Sequence, residues 1–266
     1  MDFRNVIFMT DLDGTLLTDD KRILECDMRA IERFRAGGGL FTVATGRGYS
    51  MAKRAAKELG LDIPAVLYNG AAVYDFAADK FLWQCEIGSS ARQYIRKITE
   101  LFPEKTGVEV LSEKAVYVPF LNDVEREHLG FENVTPVLCS LDEIPDGGWL
   151  KVLFAAYPDI LDEVERAVGE FDDAQWVRSS PVYFECLPRG VDKSRGFSEL
   201  IRILGAENRF TAAAGDFMND TAMIRNAGLG CAVASAQDSV KAAADLVVCD
   251  NNSGAISEII DYIERM

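Results

Sequence analysis

A single histidine stands in the 266 residues, His128, in the polar stretch Glu125-Arg126-Glu127-His128. That excludes a multi-histidine zinc site and argues against imidazole acid–base chemistry. The six cysteines are scattered with no CxxC pair, so they read as reduced core residues rather than a disulfide frame. Basic side chains are scarce: 28 Lys and Arg against 43 Asp and Glu give a net charge of −15. Neither a nucleic acid nor an anionic membrane fits as partner, because phosphate surfaces need a concentrated positive face. No apolar run approaches the roughly 20 residues that span a bilayer. The first residues carry no basic segment followed by an apolar one, so a cytoplasmic location is expected. The chemistry left open belongs to carboxylates, lysine, hydroxyls and a hard metal ion.

At 48% hydrophobic and 27% charged, the chain has material for one large or two modest cores. Its two ends alternate strand and helix. Val6–Met9, Leu40–Ala44 and Ala65–Tyr68 are short apolar runs of the kind buried on both faces of a parallel sheet. Helices are expected over 27–36, stopped at Gly37-Gly38-Gly39, and over 50–59, closed by Gly60. The C-terminal part repeats the texture: a helix over 194–204, strands at 210–214, 231–233 and 246–248, and helices near 220–226, near Val240 and at the end. Between them, helices at 89–101 and 158–171 mix with strands at 108–111, 115–118, 151–157, 175–177 and 183–187, the first two forming a hairpin around Glu113-Lys114. The expected fold is therefore α/β, a Rossmann-like doubly wound parallel sheet over residues 1–85 and 189–266, with an α+β domain inserted at 86–188.

Four short motifs fall at strand ends or helix starts of the expected sheet, where open α/β sheets place ligands. Asp11-Leu12-Asp13-Gly14-Thr15 follows the first strand. Alternation along an extended chain would aim both carboxylates the same way, and such a pair asks for a divalent cation or a shared proton. An Asp-Gly turn after a strand is also common in any α/β protein. Thr45-Gly46-Arg47 sets a hydroxyl and an accessible glycine N–H at a helix start, which suits an anion or is simply a cap. Lys193 opens a helix, where its charge opposes the helix dipole at a cost of ~0.3–1 kcal/mol that an anionic ligand would reverse, or it is simply a solvated surface lysine. Gly215-Asp216-Phe217-Met218-Asn219-Asp220 offers the oxygen ligands that suit Mg²⁺, or a helix cap.

Taken in order, these motifs resemble the four of the haloacid dehalogenase superfamily of phosphotransferases, and the insert resembles the large α/β cap of its Cof-type subgroup. Asn69-Gly70-Ala71 and the tail from Val240-Lys241 to Gly254-Ala255 are similar to that subgroup as well. The resemblance implies a phosphatase acting on a small phosphate monoester, a sugar phosphate first, then pyridoxal phosphate or flavin mononucleotide. Asp11 would be the nucleophile that forms an aspartyl-phosphate, and Asp13 the acid and then the base. Mg²⁺ would sit on the Asp11 carboxylate, the Asp13 carbonyl and Asp216. Thr45, Gly46, Lys193 and Asn219 would hold phosphoryl oxygens, with Leu12, Arg47, Asn69 and Asp220 in supporting places. Ala234-Ser235-Ala236 departs from the subgroup's usual Gly-Asn-Ala, which puts an asparagine contact in doubt. A phosphosugar mutase and a non-catalytic phosphometabolite-binding regulator stand as alternatives. Oligomeric state is not legible.

Overall fold

The computed structural model describes residues 3–88, 91–113, 115–132, 134–168 and 174–266. By contact density the chain divides into two units, Met1–Gly46 with Ala55–Trp83 and Asp192–Met266, and Arg47–Arg54 with Gln84–Val191. In chain order the N-terminal part holds β1 (Val6–Thr10), α1 (Glu25–Ala36), β2 (Leu40–Val43), α2 (Tyr49–Glu58), β3 (Ala65–Leu67), β4 (Ala72–Asp75) and β5 (Lys80–Gln84). The middle holds α3 (Ala91–Leu101), β6 (Gly107–Ser112), β7 (Val116–Phe120), α4 (Asp123–Glu132), β8 (Val137–Leu138), β9 (Trp149–Ala155), α5 (Pro158–Val168), β10 (Ala174–Ser180) and β11 (Tyr183–Pro188). The C-terminal part holds α6 (Lys193–Leu204), β12 (Phe210–Gly215), α7 (Thr221–Asn226), β13 (Leu229–Val233), α8 (Asp238–Lys241), β14 (Leu246–Val248) and α9 (Ala255–Arg265).

The first unit is built on a parallel sheet in the order β14-β13-β12-β1-β2. Its apolar runs are explained by burial on both faces. Ile7 and Met9 of β1 join Phe197 and Leu200 of α6 and Met223 of α7 on one side. Phe8 meets Phe34 of α1 on the other, its ring centroid 6.3 Å away in an edge-on contact. A parallel bridge from Ala44 to Val66 leads to a small sheet in the order β3-β4-β5. The chain does not continue the third strand through Tyr68. It turns at Tyr68–Gly70, with φ of 53°, 53° and 104° at successive residues. Gly70 is required there, since a Cβ would lie 1.9 Å from the Asp192 carbonyl oxygen.

The second unit is a mostly antiparallel sheet in the order β10-β11-β9-β6-β7-β8, of which only β7 and β8 run parallel. Val108, Val110, Val152, Phe154, Phe184 and Cys186 project to one face and pack with Tyr94, Ile95 and Ile98 of α3 and Leu161 and Val164 of α5. The alternate residues Glu109, Lys151 and Glu185 take the opposite face, and α4 packs on β6 with Glu125 and His128 buried. Parts of three expected features, at Ser89, Lys114 and 169–171, lie outside the described residues. All six cysteines are free, but only Cys186 and Cys231 are buried, so the other four are not the core residues expected of them. No helix among the described residues is long and apolar enough to cross a membrane.

Candidate active site

At the C-terminal end of β1 the chain leaves the extended conformation at once. The Leu12 carbonyl accepts the N–H groups of Thr15, Leu16 and Leu17, so Leu12, fully buried, is the hub of a tight turn. Alternation holds only while the strand lasts, so this turn and not strand pleating sets Asp13 near Asp11, where its charge helps to push the Asp11 carboxyl up. Asp11 is buried and its Oδ1 accepts from Lys193 Nζ at 2.6 Å, whereas Asp13 Oδ1 accepts from Lys21 Nζ at 2.7 Å. Gly14, at φ of 80°, serves the turn and a close approach, since a Cβ would meet Asp216 Oδ2 at 2.6 Å.

Lys193 starts α6, after an N-cap in which Asp192 accepts the Arg195 N–H. It is not solvated: 1% of its side chain is exposed, and Nζ bonds Asp11 Oδ1 and Asp220 Oδ1, each at 2.6 Å. Burial alone would lower its pKa, but the Asp11 and Asp220 carboxylates raise it above the ordinary value. Asp220 is fully used by the protein. Its Oδ2 accepts the N–H groups of Asp216 and Phe217 at 3.0 and 3.2 Å, which shapes the turn after β12. Gly215 makes room, because a Cβ there would lie 2.4 Å from that of Asp220. Asp216 is steadied by Thr15, whose hydroxyl donates to its Oδ1 at 2.8 Å.

One carboxylate oxygen each from Asp11, Asp216 and Asp220 lies within 4.8 Å of the others. Burial pushes the Asp11 carboxyl well above its usual range, with Asp220, Asp216 and Asp13 adding to the effect against Lys193. Burial and Asp220 push Asp216 up to about 6. Three acids share one ammonium, and the donors are hard oxygens, so the set fits a divalent cation such as Mg²⁺.

Thr45, Gly46, Asn69 and Asn219 are brought together beside it. The Thr45 N–H donates to the Val66 carbonyl and the Asn69 N–H to the Thr45 carbonyl, each at 3.0 Å. A Cβ on Gly46 would lie 3.0 Å from Asn69 Nδ2, and Asn219 Nδ2 donates to Asn69 Oδ1 at 3.0 Å. Asn69 thus joins the second motif to the fourth. Arg47 sorts with the second unit, where its guanidinium donates to the Met51 carbonyl at 3.5 Å. Sequence reasoning missed the link from Thr15 to Asp216, whose partners stand 201 positions apart.

A doubly wound sheet with acids and a buried lysine at its carboxyl edge defines a class. The model of the haloacid dehalogenase-like hydrolases matches residues 8–260, and the chain belongs to that family. Over 269 residues it is 28% identical to the pyridoxal phosphate phosphatase YbhA of Escherichia coli K12, spanning 96% of this chain and 97% of that one. Over 255 residues it is 27% identical to the 5-amino-6-(5-phospho-D-ribitylamino)uracil phosphatase YcsE of Bacillus subtilis 168, spanning 95% and 93%. The solved structure of the subclass IIB sugar phosphatase BT4131 shares the fold with a TM-score of 0.85 at 22% identity, over 98% of this chain and 99% of that one.

Proposed function

We propose that the protein is a Mg²⁺-dependent phosphatase that hydrolyses a small phosphorylated metabolite through an aspartyl-phosphate on Asp11. The observation that carries this reading is the buried Asp11 carboxylate, held by Lys193 among Asp216 and Asp220. The Asp11 and Asp216 carboxylates with the Asp13 carbonyl would hold the cation, since Asp220 already serves Lys193 and two backbone N–H groups. When bound, the ion offsets the repulsion between a phosphate dianion and the carboxylates.

The residues divide the work. Thr45, the Gly46 N–H, Lys193 and Asn219 hold the phosphoryl oxygens, and Asn69 orients Asn219. An Asp11 oxygen bonds to phosphorus as the bond to the leaving oxygen breaks, and Asp13 gives that oxygen its proton. Asp13 then takes a proton from water, whose oxygen bonds to phosphorus as the bond to Asp11 breaks. Inorganic phosphate leaves and both acids return to their starting state. In this reading residues 86–188 form the domain that selects the leaving group. The relatives named for pyridoxal phosphate and for a phosphoribityl compound support a compact phosphomonoester. A sugar phosphate is our first choice.

The test is phosphate release from an aryl phosphate with and without Mg²⁺, beside Asp11→Asn, followed by a panel of phosphorylated metabolites. Mg²⁺-dependent turnover lost in the variant is the expected result. A folded wild-type protein that turns over nothing on the panel overturns the hydrolase reading in favour of a ligand-binding one. Transfer to a second hydroxyl without phosphate release would make it a mutase.

A further inference from the structure

The segment after the first motif folds back as a small hairpin. Leu17 bridges Ile23 antiparallel, the Thr18 N–H donates to the Arg22 carbonyl at 2.9 Å, and the Lys21 N–H donates to the Thr18 carbonyl at 2.8 Å. Lys21 closes the turn with φ of 59°, the left-handed position where such hairpins favour glycine or asparagine. The hairpin is anchored from behind without Lys21. Asn251 Nδ2 donates to the Leu17 carbonyl at 2.9 Å and to Asp19 Oδ1 at 3.1 Å, and Asn252 Nδ2 donates to Asp19 Oδ2 at 3.2 Å. The Lys21 ammonium is thereby delivered to Asp13 Oδ1 at 2.7 Å, in a pair whose side chains are 61% and 38% exposed.

Stability does not account for this lysine. An exposed ion pair contributes little, and a long side chain in left-handed backbone is strained. Unfavoured backbone kept beside reacting groups points to a role in the reaction. We propose that Lys21 is a positioning residue that fixes the orientation of the Asp13 carboxyl for proton transfer to the leaving oxygen. The inference rests on the reading of Asp13 as the acid. Proton transfer depends steeply on placement, and the ammonium held at 2.7 Å narrows the positions open to that half-exposed carboxyl.

The test compares kcat/KM for an aryl phosphate, whose leaving group needs little protonation, with that for a hexose 6-phosphate, whose alkoxide needs a full proton. This parameter covers the steps up to release of the first product. Lys21→Met is expected to lose about tenfold more on the hexose ester than on the aryl ester, and Lys21→Arg to recover most of it. Lys21→Gly relieves the backbone strain, so its melting temperature should equal or exceed that of wild type while the selective kinetic loss persists. Equal losses on both esters in Lys21→Met, or none, overturn the inference if Asp13→Asn is itself selective against the hexose ester. An Asp13→Asn variant without that selectivity overturns the reading of Asp13, and the role of Lys21 with it.

Discussion

In the first unit one buried ammonium, Lys193, serves Asp11 and Asp220 with Asp216 alongside, and among the described residues no second basic side chain pairs with that surplus of negative charge. In the second unit Lys151 meets Glu185 at 3.1 Å across β9 and β11, with the Ser179 hydroxyl donating to Glu185 Oε1 at 2.6 Å. A surplus exists there too, in Glu109 and Glu125 beside His128. It is settled differently, because burial and then Glu109 push the Glu125 carboxyl up to about 8, so it keeps its proton at neutral pH. The contrast separates two uses of buried acid. A surplus at a sheet edge, with Asp216 half-buried, suits a cation and an anionic substrate; a surplus sealed under α4 takes a proton and stays structural.

The sharpest way to break the contrast is Asp11→Asn. Phosphate release should fall by about a thousandfold or more, while the melting temperature stays level or rises, because a residue kept for reaction is removed from a repulsive cluster. A fall in stability with activity retained would make the cluster structural. Lys193→Met should cost roughly 3–5 kcal/mol in denaturant titrations, as expected when one partner of a buried ion pair is removed. If the surplus belongs to a cation, Mg²⁺ should restore more stability to this variant than it adds to wild type. In the second unit Lys151→Met should cost about 3 kcal/mol, but Lys151→Met/Glu185→Leu should return close to wild type, because a matched pair can be replaced by apolar packing. The double variant would differ from wild type in stability by far less than the sum of the single losses.

The strands of the first unit were legible because sheets covered on both faces need unbroken apolar runs, as Val6–Met9 and Leu229–Val233 provide. That Asp11, Lys193, Asp216 and Asp220 belong together was legible from motif order and resemblance. Their distances were not, nor the turn at Leu12, because a turn closed on one carbonyl has no periodicity to read. The helix α4 escaped notice for a related reason: it buries Glu125 and His128, so it carries no clean apolar stripe. The hairpin of β4 and β5 was missed because β5 is half-exposed, its apolar stretch Phe81-Leu82-Trp83 being flanked at once by Lys80 and Gln84 and showing no alternation. The tether of Asp19 by Asn251 and Asn252 joins positions more than 230 apart, beyond any local pattern.

Glu125 gives a smaller and pH-resolved test. Its folded pKa, about 8, lies above the unfolded 4.5, so the native state binds the extra proton between those values. Its contribution is full below pH 4.5 and is lost as pH rises through 8, by about 5 kcal/mol in all. Wild-type urea midpoints should therefore fall between pH 6 and 9, and Glu125→Gln should flatten that part of the curve. A flat wild-type curve would mean that Glu109 and His128 settle the charge without a proton on Glu125.

Asp27 carries the comparison to an acid that meets a helix start instead of a lysine. Its Oδ1 accepts the Ser257 N–H at 2.7 Å at the first turn of α9. Burial pushes the carboxyl up to about 6, against the pull of the Ser257 and Ile256 N–H groups. The folded value again exceeds the unfolded 3.8, so stability from this group is complete below pH 3.8 and lost as pH rises to about 6. Asp27→Asn keeps the oxygen acceptor and removes the charge. It should match wild type near pH 4 and exceed it by about 3 kcal/mol above pH 6, as read from paired thermal melts. A variant less stable than wild type at pH 7 would show that attraction to the helix N-terminus outweighs burial, and that backbone dipoles can balance an acid where a lysine is absent.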